Sequence, residues 1–331
     1  MALNTSVGIQ TWELITCLGA VNQLELNIFL PCTHNDDVEA LSSHVRDRFR
    51  LDEHQVTFIP VFPTDESREF NRDREVVTRA HSILPVSIRP GGYMEGLIEQ
   101  AKRQGKPVDR RFEVKYQPRR QPLGYRIDSE HVNPEVEKLN DSYLIHWTRS
   151  SNGPWPTESL FDYYGAIIDS EDYPRSAFHT LSNILDTRII KGSPKNIPGK
   201  VAAVSFSNRP PAKMAELMSW RSRYRVMSFE PYGIGIEKRT ALEKGVLPVI
   251  YYDRSSGDSA KCVNGSDRWR TQSRGVKSDW SVEDEYRLAG DLAFSDIPRN
   301  SLIAICHTED EAEQITAKTG IRTVPFVVKG D

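Results

Sequence analysis

The 331-residue chain predicts two halves of different class: an α/β N-terminal half built on a mainly parallel sheet, and a mixed α+β C-terminal half. Three observations carry this expectation. Residues 8–116 alternate short apolar runs with amphipathic stretches, the pattern of repeated strand–helix units. Residues 117–124 interrupt the pattern with two prolines, a glycine and two arginines. Beyond Tyr143 the apolar runs become irregular and the polar stretches between them lengthen.

In order along the first half, residues 11–22 read as a helix and 24–30 as a strand. Residues 36–49 read as a second helix, capped by Asp36 or Asp37, with Val38, Leu41, Val45 and Phe49 on one face. Residues 56–62 are a strand and 73–81 a short helix. Residues 83–88 read as a short buried strand, 94–104 as a helix with the stripe Leu97, Ile98 and Ala101, and 107–116 as a last strand. Such alternation favours a Rossmann-like parallel sheet with helices on both faces, whose ligands sit beyond the carboxyl ends of the strands. The dinucleotide fingerprint GxGxxG is absent.

The richest stretch is Ser87-Ile88-Arg89-Pro90-Gly91-Gly92-Tyr93-Met94-Glu95-Gly96, between the expected strand and helix. Gly91 and Gly92 allow a close backbone approach to a ligand, the N–H groups opening the helix favour an anion, and Arg89 adds a fixed charge with a planar fork. A plain tight turn in an α/β sheet explains the same residues equally well.

Composition narrows the classes. The net charge of −3 gives no bulk attraction to nucleic acid. The local basic run, with Arg110-Arg111 and Arg119-Arg120 flanking Lys115, reads as a solvated strand edge. Cys17, Cys32, Cys262 and Cys306 are scattered without metal-ligand spacing, so no metal site is expected, and they suit reduced thiols in a cytoplasm. There is no run of about 18 apolar residues and no basic n-region before an apolar core, so neither a membrane span nor a signal peptide is expected.

Four segments stand out in the second half. Tyr143-Leu144-Ile145-His146-Trp147-Thr148 reads as a strand with His146 and Thr148 on one face. Residues 181–190 read as a helix running into a short extended segment. Val201-Ala202-Ala203-Val204-Ser205-Phe206-Ser207 is a buried strand ending in two hydroxyls. Trp280-Ser281-Val282-Glu283-Asp284-Glu285-Tyr286-Arg287-Leu288 follows the polar segment 255–277 and reads as a strand with Glu283 and Glu285 on one side. Each has a plainer reading: a hydrogen-bonded core histidine, and a wet strand edge in which Arg287 pairs with one of the glutamates.

Two sets of resemblances follow. Asn71-Arg72-Asp73-Arg74, Ser82-Ile83-Leu84-Pro85-Val86, Pro90-Gly91-Gly92 and Ala101-Lys102-Arg103-Gln104-Gly105-Lys106-Pro107-Val108 together resemble the Rossmann-like superfamily of the DNA-processing protein that loads recombinase and the "lonely guy" phosphoribohydrolases. The resemblance implies a nucleotide-binding domain over residues 1–120, with Arg72, Arg74, Arg89, Gly91 and Gly92 as its ligand contacts. The phosphoribohydrolases place Gly-Thr and then a glutamate where this chain has Met94, Glu95 and Ile98, so nucleotide sensing is expected rather than hydrolysis.

After a connector over 121–140, residues 141–331 resemble two families. His146-x-Thr148, Ser205-Phe206-Ser207 and Glu283-x-Glu285 are similar to the motifs of ADP-ribosyltransferases, in particular toxins that modify DNA. That likeness implies NAD as substrate, gripped by His146, Thr148, Ser205 and Ser207, with Glu285 first and Glu283 second as the catalytic carboxylate. Ser205-Phe206-Ser207, Trp220 with Tyr224, Tyr232-Gly233-Ile234-Gly235-Ile236, Val249-Ile250-Tyr251-Tyr252 and Glu283-x-Glu285-Tyr286-Arg287-Leu288 also resemble an uncharacterised bacterial family associated with abortive infection.

The expectation is a nucleotide-sensing bacterial defence or toxin-type effector, with NAD or a related nucleotide as substrate and a nucleic-acid or protein acceptor. The alternatives are a non-enzymatic nucleotide-responsive binding protein, and a nucleotide N-glycosidase acting at the Arg-Pro-Gly-Gly loop.

Overall fold

A computed structural model of the chain describes residues 2–64, 67–117, 125, 127, 131–221, 226–253, 265–274 and 279–328. The connector residues 118–124, with Arg119 and Arg120, Tyr224, Cys262 and residues 255–264 and 275–277 of the polar segment lie outside the described residues. The chain divides into two compact units, Met1–Gln121 with Thr157–Pro174, and Pro122–Pro156 with Arg175–Asp331.

The first unit holds a three-stranded parallel sheet, β1 (Leu3–Ser6), β2 (Leu26–Pro31) and β3 (Val56–Val61), with β2 in the middle. A central strand is covered on both faces, which is why β2 is apolar on both. Leu26, Ile28 and Leu30 pack with Cys17 of α1 (Gln10–Val21) and with Val45 and Phe49 of α2 (Asp37–Phe49). Phe29, on the opposite face, meets Val61 and Val76 of α3 (Arg72–Arg79). Each such side chain, fully buried, contributes about 1.5–3 kcal/mol by leaving water. Val77 of α3 continues to Leu97 and Ala101 of α4 (Tyr93–Arg103), which confirms the apolar stripe read along residues 94–104.

Two expectations for this unit need correction. Residues 83–88 and 107–116 are not strands: they share one parallel bridge, Ile83 with Val108, and a hydrogen bond from Val114 N–H to Val86 O. Pro85, Pro90 and Pro107 lack the N–H that a continuing ladder requires, and Leu84 and Val86 are more than half exposed. The second correction concerns extent. Helix α5 (Leu160–Asp169) joins the first unit, where Tyr163 and Tyr164 complete the core and the Tyr164 hydroxyl donates to Glu13 at 2.7 Å. Nothing in the sequence assigns its apolar face to the N-terminal domain, because the 35 residues Pro122–Pro156 of the other unit precede it.

The second unit is built on a seven-stranded mixed sheet. Its strands are β4 (Tyr143–Trp147), β5 (Ala203–Ser207), β6 (Gly233–Glu237), β7 (Leu247–Pro248), β8 (Glu285–Ala289), β9 (Leu302–Cys306) and β10 (Thr323–Pro325). They lie in the order β7-β8-β5-β4-β6-β9-β10, antiparallel except for β9 and β10. One face, with Leu144, Val204, Phe206, Ile234 and Ala304, is covered by α6 (Ala177–Thr187) and α7 (Glu309–Thr319). The other face buries Ile145, Trp147, Ile303 and Ile305 with Met214, Met218 and Phe326. Gly233 and Gly235 are packing requirements, since a Cβ at Gly235 would stand 2.6 Å from Cγ2 of Ile303 and one at Gly233 would stand 2.9 Å from Cγ2 of Ile145. Helix α7 starts at a capping box, Thr308 with Glu311, and stops at Gly320 with φ +65°.

Strand β8 begins five residues later than the sequence suggests. Residues Trp280–Glu283 form a short 3₁₀ helix, and Asp284 takes a left-handed conformation with φ +46°. Glu283 therefore stands on a turn before the strand rather than alternating along it with Glu285. No helix among the described residues is long and apolar enough to cross a membrane.

Candidate functional site

The glycine turn of the first unit is a well-formed turn whose donors are already engaged. Gly92 N–H donates to Arg89 O at 3.0 Å, Gly91 has φ +68°, and a Cβ at Gly92 would lie 2.9 Å from the Arg89 carbonyl oxygen. Both glycines are thus required by the backbone. The Gly91 N–H, which an anion would use, donates instead to Glu95 Oε2 at 2.7 Å. Glu95 lies in the first turn of α4, where a carboxylate complements the helix dipole. An incoming phosphate would have to displace this carboxylate and overcome its charge. Arg89 is exposed.

Arg72 and Arg74 belong elsewhere. Arg72 donates from Nη1 to Val7 O at 2.8 Å and from Nε to Asp73 Oδ1 at 3.2 Å, bracing the turn after β1. Asp73 also accepts from Trp12 Nε1 at 2.9 Å. Arg74 is exposed on α3. Among the described residues, no hydrogen bond or ion pair joins Arg72 or Arg74 to residues 89–92. Lys106, of the Gly-Lys-Pro-Val run, donates to the carbonyls of Val77, Thr78 and Ala80 and so closes the end of α3.

In the second unit, the strands bearing the three motifs are neighbours. β8, β5 and β4 lie side by side, with Glu285 opposite Ser207, Arg287 opposite Ser205, and Ile145 also opposite Ser207. Cross-strand partners share a face, and successive residues alternate. Glu285, Arg287, Ser205 and Ser207 therefore share a face with Ile145, and His146 lies on the opposite one. His146 and Glu285 do not meet in one cleft, which corrects the expectation that they act on a common ligand.

His146 and Thr148 are held internally. Nδ1 of His146 is 2.8 Å from Ser205 O; a carbonyl can only accept, so Nδ1 carries the proton. The ring meets Phe206 edge-on, and burial pushes its pKa below the usual value, leaving a neutral imidazole. Thr148 is 4% exposed and donates to Tyr232 O at 3.2 Å. Ser207 donates to Glu283 O at 2.6 Å and accepts from Arg209 N–H at 3.1 Å, so it ties the Glu283 turn to β5. Of the hydroxyls expected at a ligand, Thr148 and Ser207 serve the fold; Ser205 remains on the face of Arg287.

The carboxylates differ sharply. Glu285 is gripped by Arg287 through two bonds of 2.8 Å, Nε to Oε1 and Nη2 to Oε2. The remaining guanidinium donors reach Trp269 O at 2.8 Å, Thr271 O at 3.3 Å and Gln272 Oε1 at 3.0 Å. With Arg287 only 2% exposed, all its donors are spent on binding residues 269–272 to β8. The Glu285 N–H donates to the hydroxyl of Tyr251 at 3.1 Å, and burial raises that phenol to about 12. Tyr251 lies in Ile250–Asp253, which pairs in parallel with Thr271–Arg274.

Glu283 has no hydrogen bond to its carboxyl among the described residues. Burial first, and then the negative charge of Glu285, raise its pKa to about 7, against the opposing pull of Arg221 and Arg287. Arg221 comes from the short strand Trp220–Arg221. The cluster thus gathers two carboxyls, two guanidiniums and a phenol from separate segments. Two neighbouring carboxyls in such different surroundings are suited to an acid–base division of labour. Arg221, Tyr251 and Gln272 were not singled out in the sequence, because only the tertiary fold brings them to β8. Among the described residues, no group of three or more His, Cys, Asp or Glu could hold a metal.

No family model, curated protein or solved structure matches the chain.

Proposed function

We propose that the second unit binds NAD or a related nucleotide and cleaves or transfers its ribosyl group, in a defence or toxin-type effector whose first, Rossmann-like unit senses a nucleotide. The reading is supported by one observation above the others: a half-buried Glu283 carboxyl, without a hydrogen-bond partner among the described residues, beside a Glu285 carboxylate held in place by Arg287. Cleavage of a ribosyl bond develops positive charge on the sugar, which a fixed carboxylate stabilises. Glu283 takes the working role first assigned to Glu285, whose two oxygens are committed to Arg287. The side-by-side placement of the His146, Ser205 and Glu285 strands supports the transferase-like reading, although His146 faces away.

The test is incubation of the full chain with NAD at neutral pH, reading free nicotinamide. Release by the wild type, and loss of it in Glu283→Gln, supports the reading. A second reading, a nucleotide-binding protein without turnover, draws on the same Arg287–Glu285 lock. It predicts saturable nucleotide binding by calorimetry and no released base from any nucleotide.

A further inference from the structure

The first unit carries an apolar surface that its own packing does not use. Phe112 is 65% exposed, Val114 60%, Val86 59%, Tyr93 57% and Leu84 54%, and no other large apolar side chain among the described residues reaches half. Leu84 and Val86 stand outward on either side of the buried Pro85, and the Val114 N–H donates to Val86 O at 2.6 Å. Two neighbouring segments thus present apolar side chains together, and such a surface marks contact with another molecule. The main chain is open there too. Among the described residues, the Lys115 N–H and the Glu113 carbonyl have no hydrogen-bond partner. Successive N–H groups of an extended chain point to opposite edges, so with Val114 turned to Val86 these two groups lie on the free edge. An open edge is a template for a further strand.

We infer that this edge pairs with a second copy of the chain, residues 112–116 lying antiparallel to themselves across a two-fold axis at Val114. The run Phe112-Glu113-Val114-Lys115-Tyr116 is complementary to its own reversal. In that register Val114 meets its own counterpart, Phe112 meets Tyr116, and Glu113 meets Lys115. Aromatic pairs and opposite charges directly across two strands are stabilising. The Lys115 N–H of each copy donates to the Glu113 carbonyl of the other, so both free main-chain groups are used. Arg110 already holds the Glu113 carboxylate through bonds of 2.9 and 2.7 Å, whereas the exposed Lys115 has no carboxylate partner among the described residues. The contact is isologous, the same patch serving on both copies. Covering the five apolar side chains and their rim removes on the order of 500 Å² per copy, about 1,000 Å² in all, the lower bound for a specific interface. A polyanionic partner fits less well. Arg110 and Arg111 are already paired with Glu99, Glu113 and Asp109, and Leu84, Val86 and Val114 offer no face on which a base stacks.

Sedimentation equilibrium of the full chain over about a hundredfold range of concentration tests this. The wild type should pass from monomer to dimer as concentration rises. Val114→Asp sets like charges face to face on the axis and should weaken the dimer by about tenfold or more. Lys115→Glu places carboxylates opposite carboxylates, and Glu113→Lys places ammoniums opposite ammoniums. Each variant alone, with unchanged circular dichroism, should therefore stay monomeric where the wild type is dimeric. Mixed in equal parts the two are complementary and should form a dimer containing one of each. That recovery requires both variants to be folded, so it separates lost pairing from lost structure. A wild type that remains monomeric, a dimer indifferent to Val114→Asp, or a mixture that fails to associate would each overturn the proposal. So would a monomeric wild type that binds single-stranded oligothymidylate or phosphatidylserine vesicles and loses that binding in Val114→Asp, since the patch would then belong to that partner.

Discussion

The glycine turn of the first unit and the carboxylate cluster of the second put the same question, whether polar groups are left for a ligand, and answer it differently. In the turn, one contiguous stretch provides both donor and acceptor, and Glu95 closes the Gly91 N–H from within the same helix. In the cluster, several separate segments meet, and after Arg287 has bound Glu285, Trp269, Thr271 and Gln272, the Glu283 carboxyl remains without a hydrogen-bond partner among the described residues. A local motif can complete itself; a site assembled from distant segments can leave a group over.

The contrast can be broken most severely at Arg287. Arg287→Met strands the Glu285 carboxylate and frees residues 269–272. Breaking a buried pair on one side costs about 3–5 kcal/mol, so urea unfolding should shift strongly. A shift under about 1 kcal/mol would mean that the lock is not structural.

At Glu283 the expected stability effect is smaller and depends on pH. The folded pKa of about 7 lies above the ordinary 4.5, so the folded chain holds a proton that the unfolded chain releases. The associated stability is complete below about pH 4.5 and is lost as pH rises through about 7. Thermal unfolding between pH 5 and 8 should therefore show a decline in the wild type that Glu283→Gln reduces. Parallel profiles would remove Glu283 as the source.

At the glycine turn the effects are modest. Glu95→Ala removes a first-turn carboxylate bonded to Gly91, at a cost of about 0.3–1 kcal/mol in denaturant unfolding. It should also open the Gly91 N–H to inorganic phosphate, which wild type and Arg89→Ala should bind equally poorly by calorimetry. Tight phosphate binding by wild type, lost in Arg89→Ala, would restore the turn as an anion site.

Much of the fold was legible because it rests on periodicity. The stripes along residues 36–49 and 94–104, the apolar run of β2 and the alternation of β4 each report a local burial pattern. Failures arose where a local pattern lacked its tertiary partner: Ile83 and Val86 look apolar enough for a strand, but prolines interrupt the ladder. The site was legible in part. Glu283, Glu285 and Arg287 were visible as a group, including the chance that Arg287 pairs with a glutamate. Which glutamate it takes depends on the left-handed turn at Asp284 and on carbonyls some sixteen residues away, and neither has a sequence signature. Strand β4 ends at Trp147, before Thr148, and that His146 lies on the face opposite to Glu285 follows only from the register of β4 against β5 and β8.

The central claim is that the Glu283 carboxyl, which Arg287 does not bond, is left available for proton exchange. Side-chain carboxyl NMR of ¹³C-glutamate-labelled protein, with the resonance assigned by its disappearance in Glu283→Gln, tests this directly. The account predicts a Glu283 titration midpoint of about 7; a midpoint in the ordinary range near 4.5 would contradict it.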